Sequence, residues 1–188
     1  MQQTTLDERR GIEIIEGVLT PQRCAEIIEE TERIGYRPAP ITTSRGPRMA
    51  PEVRNNTRVM LDDVSRARAL WAELAEVFSP LSGWDPVGLN ERLRFYRYAR
   101  GERFNWHRDG AYVRSPYVRS RMTLMIYLNE GFTGGQTQFA DHHEAARPLS
   151  ITPKTGMVLL FPHHLLHTGA VVTGGRKYVM RTDVMYAM

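Results

Sequence analysis

The sequence predicts an α+β domain dominated by β-structure, an antiparallel jelly roll with supporting N-terminal helices. Three observations carry this reading. Apolar residues recur at helical spacing twice before residue 80, the period drops to two beyond about residue 91, and glycine and proline then punctuate the chain at intervals suited to short strands. At 188 residues the chain suffices for one domain that buries roughly 70 % of its unfolded surface. Residues 1–188 are therefore read as one unit, with helical support and a long loop over 1–90 and the jelly-roll core over 91–188.

The first strand is expected within residues 11–19, Gly-Ile-Glu-Ile-Ile-Glu-Gly-Val-Leu, which alternate in polarity. Thr20-Pro21 then supplies an N-cap and a proline at the first helical position, so a helix should run from Pro21 to Ile34. It would bury Cys24, Ile27, Ile28 and Ile34 and end at Gly35. Residues 37–57 are rich in Pro, Ser, Thr, Arg and Asn and read as a long loop of the functional kind. A second helix, capped by Asp62 or Asp63, carries the stripe Ala67, Leu70, Trp71, Leu74, Val77 and Phe78 until Ser79-Pro80 stops it. Strands are predicted at 92–98, 121–129, 136–139, 147–152, 157–161 and 177–186.

Composition removes several classes. Hydrophobic residues at 41 % and charged residues at 24 % are ordinary for a globular protein. No apolar run approaches a membrane span and the first ten residues lack a secretory core, so a cytoplasmic protein with no membrane partner is expected. Cys24 is the only cysteine, which excludes an intramolecular disulfide and a thiolate-rich metal site. The net charge of +4 is spread among interleaved acids and bases rather than gathered in a basic tract, so no nucleic-acid partner is expected.

The chemistry concentrates in a few residues. His107 and Asp109 stand two apart in Asn-Trp-His-Arg-Asp-Gly, and alternate side chains of an extended segment project from one face. His167 follows the apolar run Met157–Phe161 by the length of a turn and can supply a third ligand, with His163 and His164 as competitors. Two imidazoles and one carboxylate cover one side of an octahedron and leave three positions open, the arrangement of non-haem Fe(II) oxygenases. Ten residues beyond His167, Lys177 opens a strand on which Lys177, Val179 and Arg181 share a face. A buried lysine is costly unless a carboxylate side chain or an anionic ligand meets it, and a dicarboxylic 2-oxo acid chelating iron would provide the anion.

With these elements goes a wider pattern: Tyr98 in Phe-Tyr-Arg-Tyr-Ala-Arg-Gly, His107-Arg-Asp109, Tyr127-Leu-Asn, Gly134-Gly135-Gln-Thr-Gln-Phe, His167-Thr-Gly and Gly175-Arg-Lys177-Tyr. In kind and order, over about residues 92–188, it resembles the catalytic domain of prolyl-4-hydroxylase-like, 2-oxoglutarate- and Fe(II)-dependent dioxygenases. The resemblance implies a double-stranded β-helix core, iron on His107, Asp109 and His167, and Lys177 paired with the distal carboxylate of 2-oxoglutarate. It implies that Tyr98 and Tyr127 help hold that cosubstrate, with Arg181 one pleat deeper as a cofactor contact or a structural ion pair. It favours His167 over His163 and His164, which lack the ten-residue offset to Lys177, and leaves His142 and His143 as surface histidines.

The implied cofactors are Fe(II) and 2-oxoglutarate, with ascorbate as an accessory, and the implied reaction is hydroxylation of a small molecule, amino acid or prolyl residue by dioxygen. Relatives that halogenate replace the carboxylate ligand with a small residue, and Asp109 is present here. A zinc hydrolase and a jelly-roll binding module without catalysis are the competing readings. Substrate contacts are expected from Arg54, Asn55 and Asn56 in the long loop and from Tyr112, Arg114, Tyr117 and Arg119 beyond Asp109.

Overall fold

The computed structural model describes residues 1–43, 45–141 and 148–188. Its main sheet holds ten strands, and along the central path these run Gln2–Asp7, Ile12–Glu16, Val158–Pro162, Val118–Tyr127, Lys177–Ala187, Arg92–Tyr98, Thr57–Asp62 and Arg37–Pro38, each antiparallel to the next. A smaller antiparallel sheet orders Leu149–Ile151, Thr137–Ala140, Leu166–Gly169 and Phe104–His107. This is the mainly-β jelly roll of the sequence reading.

Strand alternation sorts the core into two layers. One face of the main sheet turns Leu93, Phe95, Leu124, Ile126, Leu160 and Met180 towards Cys24, Ile27, Ala67, Leu70 and Leu74 of the two helices. The opposite face carries Tyr96, Tyr98, Tyr127, Leu159, Phe161 and Val179, which pack with Phe139 and Ile151 of the small sheet. Lys177 and Arg181 share that inner face by the same alternation. The fold therefore places cationic side chains between two sheets, where water is scarce.

Helix α1 (Pro21–Ile34) starts at Thr20, whose hydroxyl accepts from the Arg23 N–H, and ends where Gly35, at φ 90°, donates to the Thr31 carbonyl. Ile34 is half exposed rather than buried. Thr31 fills the stripe instead, because its hydroxyl donates to the Ile27 carbonyl and is satisfied without water. Helix α2 (Val64–Leu74) is capped by Asp63, and a 3-10 turn over Ala75–Val77 lets Phe78 fold back onto Trp71 with the rings stacked at 5.2 Å. Among the described residues no helix is long and apolar enough to cross a membrane.

Several segments differ from the sequence reading. The 37–57 stretch is not an unstructured loop, since Ile41–Thr43 pairs with Gly46–Arg48 and Arg37–Pro38 joins the sheet edge. Thr57–Asp62 and Asp85–Leu89 are additional strands, each with a single buried residue, Val59 and Leu89, and so without a clear period. Gln2–Asp7 is an exposed edge strand whose order comes from pairing with Ile12–Glu16. The start of the 147–152 strand lies outside the described residues, as do His142 and His143; Leu149–Ile151 is a strand.

Candidate metal centre

His107 ends the strand Phe104–His107, and His167 lies directly opposite it on Leu166–Gly169, with their ring centroids 4.1 Å apart. The chain leaves the sheet after His107, and the Asp109 N–H donates to the His163 carbonyl at 3.0 Å. That bond turns the Asp109 carboxylate back towards the imidazoles. Its oxygens lie 3.8 Å from His107 Nε2 and 3.6 Å from His167 Nε2, and the donor atoms of all three residues fall within 4.8 Å of one another.

The protonation pattern suits a cation. His107 Nδ1 lies 2.7 Å from the Asn105 carbonyl and His167 Nδ1 lies 3.0 Å from the Leu165 carbonyl. A carbonyl only accepts, so each ring carries its proton on Nδ1 and turns the Nε2 lone pair to the common point. Burial pushes His107 down to about 3, reinforced by His167 and opposed by Asp109, and burial also lowers His167. Both rings are therefore neutral at pH 7, as ligation requires. Burial alone would raise the Asp109 carboxyl, but Arg181, the two imidazoles and the Thr123 hydroxyl hold it well below the ordinary carboxylate range.

Thr123 escaped the sequence reading, and His163, a competing ligand there, takes a place behind the carboxylate instead. Thr123 Oγ1 donates to Asp109 Oδ2 at 2.7 Å and lies 2.9 Å from His163 Nδ1, while His163 Nε2 lies 2.8 Å from Ser120 Oγ. Because the single Thr123 proton goes to Asp109, its oxygen accepts from His163 Nδ1–H, and Nε2 accepts from Ser120. The relay fixes the carboxylate from behind. The available signal was strand alternation, which puts Thr123 on the inner face with Met125 and Tyr127.

Lys177 is 2 % exposed, and its ammonium donates to the Gly135 carbonyl at 2.6 Å while lying 5.4 Å from the ring centroids of both Tyr98 and Tyr127. No carboxylate within salt-bridge distance meets it among the described residues. Burial consequently lowers its pKa to about 7. An anion reaching this lysine would restore its charge.

Residues 93–182 match the family model described as "2OG-Fe(II) oxygenase superfamily". This stretch belongs to the 2OG-Fe(II) oxygenase superfamily. The oxygenase domain works with Fe(II) and 2-oxoglutarate, and the His-Asp-His cluster fits the metal. The chain is 27 % identical over 172 residues to the PKHD-type hydroxylase YbiX of Escherichia coli, covering 86 % of this chain and 72 % of the relative. It is 23 % identical over 195 residues to prolyl 4-hydroxylase 2 of Arabidopsis thaliana, covering 88 % and 64 %. A Trichoplax adhaerens prolyl hydroxylase in complex with a hypoxia inducible factor peptide shares the fold at TM-score 0.72 and 15 % identity, over 93 % of this chain and 83 % of that one. A Pseudomonas putida prolyl-4-hydroxylase does so at 0.68 and 16 %, over 93 % and 92 %.

In the oxygenase domain the cleft over the cluster is walled by Tyr96, Tyr98, Phe104, Met125, Thr137, Gly169 and Arg181. Phe104 stacks on the His107 ring at 3.5 Å. Tyr127 lies deeper, its hydroxyl donating to Thr137 Oγ1 at 2.7 Å. Arg181 lines the cleft with its charge already engaged, 3.2 Å from Asp109 and 3.1 Å from Asp183, which favours a structural ion pair over a cofactor contact. Of the expected substrate contacts, Arg114 pairs with Glu91 and Arg119 stacks on Trp84, because the hairpin after Asp109 carries them away from the cleft. Asn55 ties its loop to Gly101 and Arg103. Tyr112 and Tyr117 are exposed.

Proposed function

We propose that this chain hydroxylates an unactivated C–H bond of a small molecule, amino acid or prolyl residue, with Fe(II) on His107, Asp109 and His167 and 2-oxoglutarate anchored by Lys177. Lys177 carries the reading. A buried ammonium whose hydrogen-bond partner is one carbonyl has no structural purpose that a leucine would not serve better. A dicarboxylate that also chelates a metal gives it one, whereas zinc-dependent hydrolysis leaves it unexplained.

When bound, iron and 2-oxoglutarate supply the oxidation, dioxygen being divided between succinate, formed with loss of carbon dioxide, and the new hydroxyl group. The protein holds the geometry. Backbone carbonyls fix both imidazole tautomers, Thr123 and Arg181 hold the carboxylate, and Lys177 orients the cosubstrate through its far end. Tyr96, Tyr98 and Phe104 form an apolar wall that excludes water from the oxidant. Tyr98 and Tyr127, flanking the ammonium, would hold the same end of the cosubstrate. Accessory ascorbate belongs to the same proposal.

The deciding experiment measures succinate formation and oxygen uptake with Fe(II) and 2-oxoglutarate, alone and with candidate substrates. The expected outcome is succinate that requires both additions. Hydrolytic activity with Zn(II) and no oxygen consumption would reverse the assignment.

A further inference from the structure

Arg54 is 5 % exposed, yet the described residues provide no acid for it. Its Nε donates to the amide oxygen of Asn56 at 2.7 Å, and its Nη2 is buried with no hydrogen-bond partner. The guanidinium lies 4.4 Å from the ring centroid of Tyr96 and 4.3 Å from that of Phe104, two residues that wall the cleft over His107 and Asp109. Phe104 in turn stacks on His107, so the cation reaches the metal neighbourhood through one aromatic ring.

The contrast with Arg181 is instructive, since that guanidinium meets both Asp109 and Asp183. Arg94 shares Asp183 as well. The carboxylates near the cleft are therefore taken, and the two of 2-oxoglutarate are matched by Lys177 and the metal. Among the described residues the charge on Arg54 meets no acid. An unpaired buried guanidinium is costly, and stacking on two rings offsets only part of that cost. Tyr96 registers the surplus: burial would raise its phenol, yet Arg54, Arg181 and Arg94 lower it.

Resting on the oxygenase reading, we propose that Arg54 is the receptor for a carboxylate of the substrate, which enters between Tyr96 and Phe104 and takes the free Nη2 hydrogen bond. The substrate is thus an organic acid or an acid-terminated chain, held by its charge while a neighbouring C–H bond faces the metal.

The test uses the Fe(II)-loaded protein, anaerobic and saturated with 2-oxoglutarate so that Lys177 is occupied. Acetate should raise the melting temperature by about 4 °C at ten times its dissociation constant, and acetamide should not. Arg54→Gln should abolish the acetate shift, and Arg54→Lys should keep it at weaker affinity, with 2-oxoglutarate affinity changed less than twofold in both. Succinate release stimulated by L-proline or glycyl-L-proline but not by their amides supports the site and tells a free acid from a chain end. Equal effects of acetate and acetamide on the wild-type protein would overturn the proposal even if the variants fail to fold. An acetate response without any succinate formation would instead retain the anion site and reject the oxygenase reading.

Discussion

Replacing Lys177 with methionine should stabilise the ligand-free protein and abolish tight cosubstrate binding, two effects of opposite sign from one side chain. The lysine falls from 10.5 to about 7 on burial, a difference worth roughly 5 kcal/mol between its two charge states. Because the folded pKa lies below the unfolded one, the unfolded chain binds the extra proton between pH 7 and 10.5, and stability rises with pH across that window. Below pH 7 both states are protonated and the slope vanishes. From pH 7 to 9 the wild-type protein should therefore gain about 2–3 kcal/mol over Lys177→Met, at about 1.4 kcal/mol per pH unit. Urea denaturation of both proteins at the two pH values measures it. Saturating 2-oxoglutarate should flatten the wild-type slope, since its carboxylate keeps the ammonium charged. Calorimetric titration should show the variant binding 2-oxoglutarate weaker by about 1.5–3 kcal/mol. Parallel pH slopes, or unchanged cosubstrate affinity, would refute the role assigned to this lysine.

Three further outcomes are expected. His107→Ala or Asp109→Ala should eliminate Fe(II) binding in an anaerobic metal titration, with Asp109→Ala also losing thermal stability because Arg181 loses one of the two carboxylates it pairs with among the described residues; a retained metal stoichiometry contradicts the ligand set. Thr123→Val should weaken Fe(II) about 10–100-fold while 2-oxoglutarate affinity in the metal-loaded protein holds, since it unties Asp109 from the His163 relay; equilibrium dialysis against a chelator series reads this. Gly156→Ala should lower the melting temperature sharply, because Gly156 sits at φ 77° and an added Cβ would stand 1.9 Å from the Leu19 carbonyl oxygen. A melting curve within 2 °C of wild type, roughly the effect of 1 kcal/mol or less, would show that the backbone there relaxes freely.

The sequence by itself determined the elements whose cause is local. Thr20-Pro21 and Gly35 bound α1, Asp63 caps α2, and the period-two runs became the strands Arg92–Tyr98, Val158–Pro162 and Lys177–Ala187. Residue type and spacing also brought His107, Asp109 and Lys177 into view, and the family resemblance set His167 ahead of His163 and His164. Strands such as Thr57–Asp62 were invisible because one buried side chain makes no period, and their order comes from the neighbour they pair with. Only tertiary structure could decide partners distant in sequence. Thr123 and His163 meet behind Asp109, Arg181 is claimed by Asp109 and Asp183, and Arg54 is left beside Tyr96 and Phe104 with no acid among the described residues. Whether a buried charge is neutralised depends on which side chains two packed sheets bring within hydrogen-bonding distance, and no local pattern of residues encodes that distance.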